Sequence, residues 1–212
     1  MTKSESLDAI MKAAPVIPVV VVDDPAIAVK LAEALVKGGL PAIEITLRTP
    51  NAIDCIRAVA NEVEGAISGA GTVLDAGQMA ALEKAGAEFM VSPGVSPEML
   101  RAAADCPVPL LPGSATASEM MALGEAGYTH LKFFPAEAAG GAAFLKSLAS
   151  PLPQFSFCPT GGITLQIAAN YLALPNVPCV GGSWVAPSGL MAKGDWAAIE
   201  ALAREAVALK AA

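Results

Sequence analysis

Histidine is almost missing from this chain, which carries one, His130, among 212 residues. A histidine-rich metal centre cannot be assembled from it, so transition-metal catalysis is disfavoured and no metal is expected. Cysteine is scarce as well. Cys55, Cys106, Cys158 and Cys179 lie far apart and form neither a CxxC pair nor a disulfide framework, which reads them as reduced core residues. Charge is thin at 16%, and the 13 Lys and Arg are dispersed and outnumbered by 20 Asp and Glu, for a net charge of -7. That leaves no basic field for a nucleic-acid backbone, and nucleic acid is not an expected partner. Long apolar runs are missing too. The stretch VIPVVVV at 16–22 is too short to span a bilayer, and the opening MTKSESLDAI lacks a signal peptide's basic and then apolar start. These absences predict a cytoplasmic protein with no membrane partner.

What is present is apolar. Hydrophobic residues make up 54% of the chain with no shift of character along it, so one domain is expected over residues 1–212. Short β-rich runs recur at 16–22, 42–47, 66–70, 88–92, 108–111, 129–134, 155–159 and 178–181. Between them lie helix-like segments such as PAIAVKLAEALVKGG and DAGQMAALEKAG, with proline or aspartate at the start and glycine at the stop. Eight alternating units of this kind imply parallel strands covered on both faces and predict a (β/α)8 TIM barrel. A doubly wound open sheet is the alternative. Residues 4–14 would form an extra N-terminal helix across the barrel's bottom.

Polar groups break the apolar rule in a few strands, and a packed core has no use for them without a partner. In THLKFFPAE, strand alternation puts His130, Lys132 and Phe134 on one face and Leu131 and Phe133 on the other. Lys132 then points inward, where an ammonium loses hydration worth several kcal/mol unless it pairs or gives up its proton. Burial favours a lysine's free base, the form that attacks a carbonyl carbon. A lysine that merely pairs with an internal carboxylate is the plainer reading. In AIEITLRTP the apolar side is Ile43, Ile45 and Leu47, leaving Glu44, Thr46 and Arg48 facing in. Glu44 could be the counterion of Lys132, could pair with Arg48, or could move protons as general acid and base. Arg48, just before Thr-Pro, suits a fork for a substrate carboxylate at the barrel mouth. In SGAGTVLD, Thr72 could add a hydroxyl beside Arg48 or could cap the helix beginning near Asp75. The seventh and eighth strands end in CPTGGIT and CVGGSW. In barrels of this type the loops there commonly bind phosphate, which makes Gly161, Gly162, Gly182 and Ser183 phosphate candidates, with ordinary tight turns as the alternative.

A buried lysine, an inward glutamate, an arginine and an anion cradle suit imine chemistry on a phosphorylated keto acid, with no metal or cofactor. An isomerase using Glu44 as base, or a phosphometabolite-binding protein with a structural Lys132 pair, would use the same groups without a covalent bond. The motifs IEITLRT, GAGTVL, SPG, LKFFPAE, CPTGGI and GGSW occur in the order seen in bacterial 2-keto-3-deoxy-6-phosphogluconate aldolases, which the chain resembles almost end to end. The resemblance implies a class I lyase of the Entner-Doudoroff pathway, in a homotrimer of barrels, that yields pyruvate and glyceraldehyde 3-phosphate. Some members of that family also cleave 4-hydroxy-2-oxoglutarate. It further implies that Lys132 forms the Schiff base, Glu44 transfers protons, and Arg48 and Thr72 hold the pyruvyl carboxylate. Thr160 would lie beside the substrate, Phe134 would pack against it, and the glycine pairs with Ser183 would take the phosphate.

Overall fold

β-branched runs separated by alanine- and leucine-rich segments fold as alternating strands and helices, because side chains in the two repeat with periods of 2 and 3.6. A computed structural model of the chain describes residues 1–209. It begins with α1 (Lys3–Ala13), β1 (Val16–Val20), α2 (Pro25–Lys37), β2 (Ala42–Thr46), α3 (Ala52–Glu62), β3 (Ile67–Gly71), α4 (Ala76–Ala85) and β4 (Phe89–Val91). Then come α5 (Pro97–Asp105), β5 (Leu110–Leu111), β6 (Gly113–Ser114), α6 (Ala117–Glu125), β7 (His130–Phe133) and α7 (Gly141–Leu148). The chain closes with β8 (Ser156–Pro159), α8 (Leu165–Leu172), β9 (Val180–Gly182), α9 (Ser188–Lys193) and α10 (Trp196–Ala208).

Local chemistry sets the helix ends. Asp24 accepts from the N–H groups of Ala26 and Ile27, and Pro25 occupies the first turn of α2, where its missing donor would have had no helical partner. Thr116 and Glu119 exchange reciprocal bonds in a capping box on α6. Gly86, at φ 84°, stops α4 in a left-handed turn that a β-carbon would resist.

All strand pairs are parallel. One run is ordered β5-β4-β3-β2-β1-β9, a second is ordered β6-β7-β8, and a single bridge from Thr160 to Gly181 joins the end of β8 to β9. The result is a mixed α/β domain around a curled parallel sheet. The strand expected at 108–111 is instead two short pieces on either side of Pro112. Proline has no N–H to give the ladder, although the Pro112 carbonyl still accepts from the Lys132 N–H at 2.9 Å. The helix α9 was not anticipated and ends at left-handed Gly194.

Two apolar layers result from strand alternation. Ile43, Ile45, Leu131, Phe133 and Phe157 face the helices, and Phe133 stacks on Phe144 of α7 with ring centroids 5.4 Å apart. Each such side chain, fully buried, contributes about 1.5–3 kcal/mol of hydrophobic transfer energy. On the other face Ile17, Ala42, Phe89, Val91, Leu111, Cys158 and Cys179 cluster with Leu7, Ile10 and Met11 of α1. His130, at the start of β7, reaches Asp8 of α1 at 3.3 Å. Its side chain therefore serves the docking of α1, two residues before the strand reaches Lys132. Among the described residues no helix is long and apolar enough to cross a membrane.

Candidate active site

β2 and β7 lie on separate runs of the sheet, yet they deliver Glu44 and Lys132 to the same place. Lys132 Nζ lies 3.4 Å from Glu44 Oε1, and each residue is only 3% exposed. The room for the carboxylate comes from β3. A β-carbon on Gly71 would fall 2.1 Å from Glu44 Oε1, and one on Gly69 would enter the Phe89 ring. The close approaches at the glycines of SGAG are thus made by protein side chains. Of the carboxylate's two candidate partners, Lys132 is the one within ion-pair distance. The ammonium also sits 5.1 Å from the centroid of the Phe134 ring, within range of cation–π attraction.

Arg48 does something else. Its Nε donates to Thr72 Oγ1 at 3.1 Å, so the guanidinium and the hydroxyl act as one unit where β2 and β3 end. Thr72 has φ 58°, the left-handed region a β-branched residue avoids, at a cost on the order of 1–3 kcal/mol. The capping role left open for Thr72 falls to Asp75, whose carboxylate accepts from the Gln78 N–H at 2.8 Å. Thr72 is free of that duty and is turned toward Arg48.

Thr160, 7% exposed, follows β8, and its bridge to Gly181 sets the loops after β8 and β9 side by side. Gly181 is needed here because a β-carbon would lie 2.2 Å from Thr160 Oγ1. Gly161 and Gly162 have φ of 104° and 79° and lead into α8. Gly182 has a different reason to be glycine: a β-carbon would meet the Trp184 indole at 2.1 Å. Ser183 follows it on the surface. Gly181 went unrecognised in the sequence as a close-approach position, although it is the first glycine of the pair in CVGGSW.

All four cysteines are buried, and none is joined in a disulfide. Burial first, then the carboxylates of Asp23, Asp24 and Asp54, push the Cys55 thiol up to about 11, which leaves it unreactive at neutral pH. Among the described residues no group of three or more His, Cys, Asp and Glu could hold a metal ion.

Fold and site together define a parallel α/β protein with an amine and a carboxylate buried against each other on the inner face of its sheet. Residues 7–202 match the model of the KDPG and KHG aldolase family. The chain belongs to this family. It is 49% identical over 205 residues to the 2-dehydro-3-deoxy-phosphogluconate aldolase of Pseudomonas aeruginosa, covering 97% of this chain and 93% of that one. It superposes with TM-score 0.93 on the 2-keto-3-deoxy-6-phosphogluconate aldolase of Zymomonas mobilis ZM4 with 3-phosphoglycerate, at 49% identity over 98% and 97% of the two chains. The KDPG aldolase of Legionella pneumophila, with pyruvate captured as a covalent carbinolamine, aligns with TM-score 0.92 and 43% identity over 98% of each chain.

Proposed function

We propose that this chain is a Schiff-base-forming aldolase that cleaves 2-keto-3-deoxy-6-phosphogluconate to pyruvate and D-glyceraldehyde 3-phosphate in the Entner-Doudoroff pathway. The same site would cleave 4-hydroxy-2-oxoglutarate to pyruvate and glyoxylate. The observation that carries this reading is the Lys132 amine, out of solvent and 3.4 Å from the Glu44 carboxylate.

The chemistry follows from that pair. Lys132, as free base, adds to the C2 carbonyl to give a carbinolamine, and loss of water leaves a protonated imine. Glu44, through a water, removes the proton of the C4 hydroxyl as the C3–C4 bond breaks. The electron pair moves into the imine, giving an enamine, and the aldehyde departs. Glu44 then returns the proton to C3, and water hydrolyses the imine to release pyruvate and regenerate the amine. Arg48 and Thr72 hold the pyruvyl carboxylate, Phe134 and Thr160 line the substrate, and Gly161, Gly162, Gly182 and Ser183 receive the phosphate. No metal or cofactor enters these steps.

The scaffold reading that goes with this site is an eight-unit barrel in one domain over residues 1–212. It counts β5 and β6 as halves of one strand parted at Pro112 and takes the Thr160 to Gly181 bridge as the closing seam, with α1 as the floor. A homotrimer in the cytoplasm completes the proposal. Borohydride added with pyruvate should attach a stable three-carbon adduct to the peptide that contains Lys132. Labelling of another lysine, or none, removes the mechanism.

A further inference from the structure

Glu137 closes the LKFFPAE motif but has no part in the steps above, and Tyr171 of α8 stood in no motif. The structure joins them. The Tyr171 hydroxyl donates to Glu137 Oε1 in a short hydrogen bond. Tyr171 is 1% exposed. Burial first, then the Glu137 carboxylate, hold its phenol well above the ordinary range, so the proton stays on tyrosine and the donor never switches.

The turn that carries Glu137 grips the glycine loop. The N–H of Ala136 donates to the Thr160 carbonyl at 2.8 Å, and the N–H of Glu137 donates to the Gly161 carbonyl at 3.1 Å. In a trans peptide the C=O and the following N–H point opposite ways. Tying down those two carbonyls therefore turns the N–H groups of Gly161 and Gly162 away from the β7–α7 loop. The Glu137 stem is wedged below Gly162, where a β-carbon would come within 2.9 Å of its Cβ and Cγ. Tyr171 then pins the outer end of that stem to α8, the helix the glycine loop opens.

We infer that Glu137 and Tyr171 are positioning residues that set the direction of the Gly161–Gly162 N–H groups and so select for a substrate with a phosphate at its far end. This deepens the aldolase reading and rests on it. Neither side chain need touch the substrate. The consequence is a loss confined to phosphorylated ligands, because imine formation at Lys132 involves only the keto-acid end.

The test compares Tyr171→Phe, Glu137→Ala and Glu137→Gln in the full chain, with 2-keto-3-deoxy-6-phosphogluconate and 4-hydroxy-2-oxoglutarate as substrates. Tyr171→Phe and Glu137→Ala should raise KM for the phosphorylated substrate about tenfold, the scale of one lost hydrogen bond to a charged group, with kcat within about twofold. Cleavage of 4-hydroxy-2-oxoglutarate and borohydride trapping of pyruvate should not change. Glu137→Gln keeps the stem and an oxygen for the tyrosine, and should behave as the parent. A calorimetric arm with glycerol 3-phosphate reads the loop without turnover, and its Kd should rise with the same two variants. Equal losses on both substrates, or an unchanged Kd for glycerol 3-phosphate, overturn the inference. Failure of the parent protein to trap pyruvate would instead strike the aldolase reading and leave the calorimetric comparison standing.

Discussion

Replacing Lys132 by methionine keeps most of the apolar stem and removes the terminal ammonium with its charge and donors, which isolates what the pair with Glu44 contributes. Glu44 is 3% exposed, so without the ammonium it is a buried carboxylate lacking its counterion. Breaking such a pair from one side costs about 3–5 kcal/mol. Lys132→Met should thus lose roughly 3–5 kcal/mol at pH 7, measured by urea unfolding. Lys132→Met with Glu44→Gln should be more stable than Lys132→Met alone at pH 7, since an amide has no charge to bury. Neither variant should cleave substrate or trap pyruvate. A Lys132→Met protein as stable as its parent at pH 7 would refute the buried-pair argument, and turnover by the double variant would refute the covalent mechanism.

Three further outcomes follow from the geometry. Gly71→Ala places a methyl group 2.1 Å from Glu44 Oε1, so the carboxylate must move. A displacement of about 1 Å should lower kcat roughly a hundredfold with the fold retained by circular dichroism. Arg48→Lys keeps the charge but loses the guanidinium Nε that donates to Thr72 at 3.1 Å. It should weaken pyruvate capture about tenfold, seen as the pyruvate concentration for half-maximal borohydride inactivation. Glu119→Gln removes a carboxylate that the Ala115 N–H, followed by Thr116 side-chain and backbone groups, holds below the usual range against some desolvation. Its stabilising effect is present above the ordinary glutamate range and vanishes as pH falls below it, so parent and variant, both able to accept at this exposed position, should differ by only a few tenths of a kcal/mol at pH 7 and converge near pH 3.

Much of the site could be read from period-2 alternation alone. Lys132 and Glu44 stand on strand faces whose neighbours are otherwise apolar, and Leu131, Phe133, Ile43 and Ile45 do face the helices. Helix starts at Pro25 and Asp75 were equally legible, because a fixed φ and a cap are both local, the cap being a contact between residues two or three apart. The break at Pro112 was missed even though the proline was in view, since a missing donor matters only once a partner strand is beside it.

Composition and alternation, then, decided by themselves that this is a parallel α/β chain with an amine and a carboxylate turned inward. They could not say which carboxylate meets the amine. Lys132 and Glu44 are 88 residues apart, and their pairing depends on sheet curvature and on the space left by Gly71. Tertiary structure also chose Arg48 over a helix end as the partner of Thr72, and set Glu137 and Tyr171 against the glycine loop. The physical reason is range. Turn, cap and strand preferences are local and act within a few residues, whereas a buried polar group takes its partner from whatever the folded chain brings within about 3 Å.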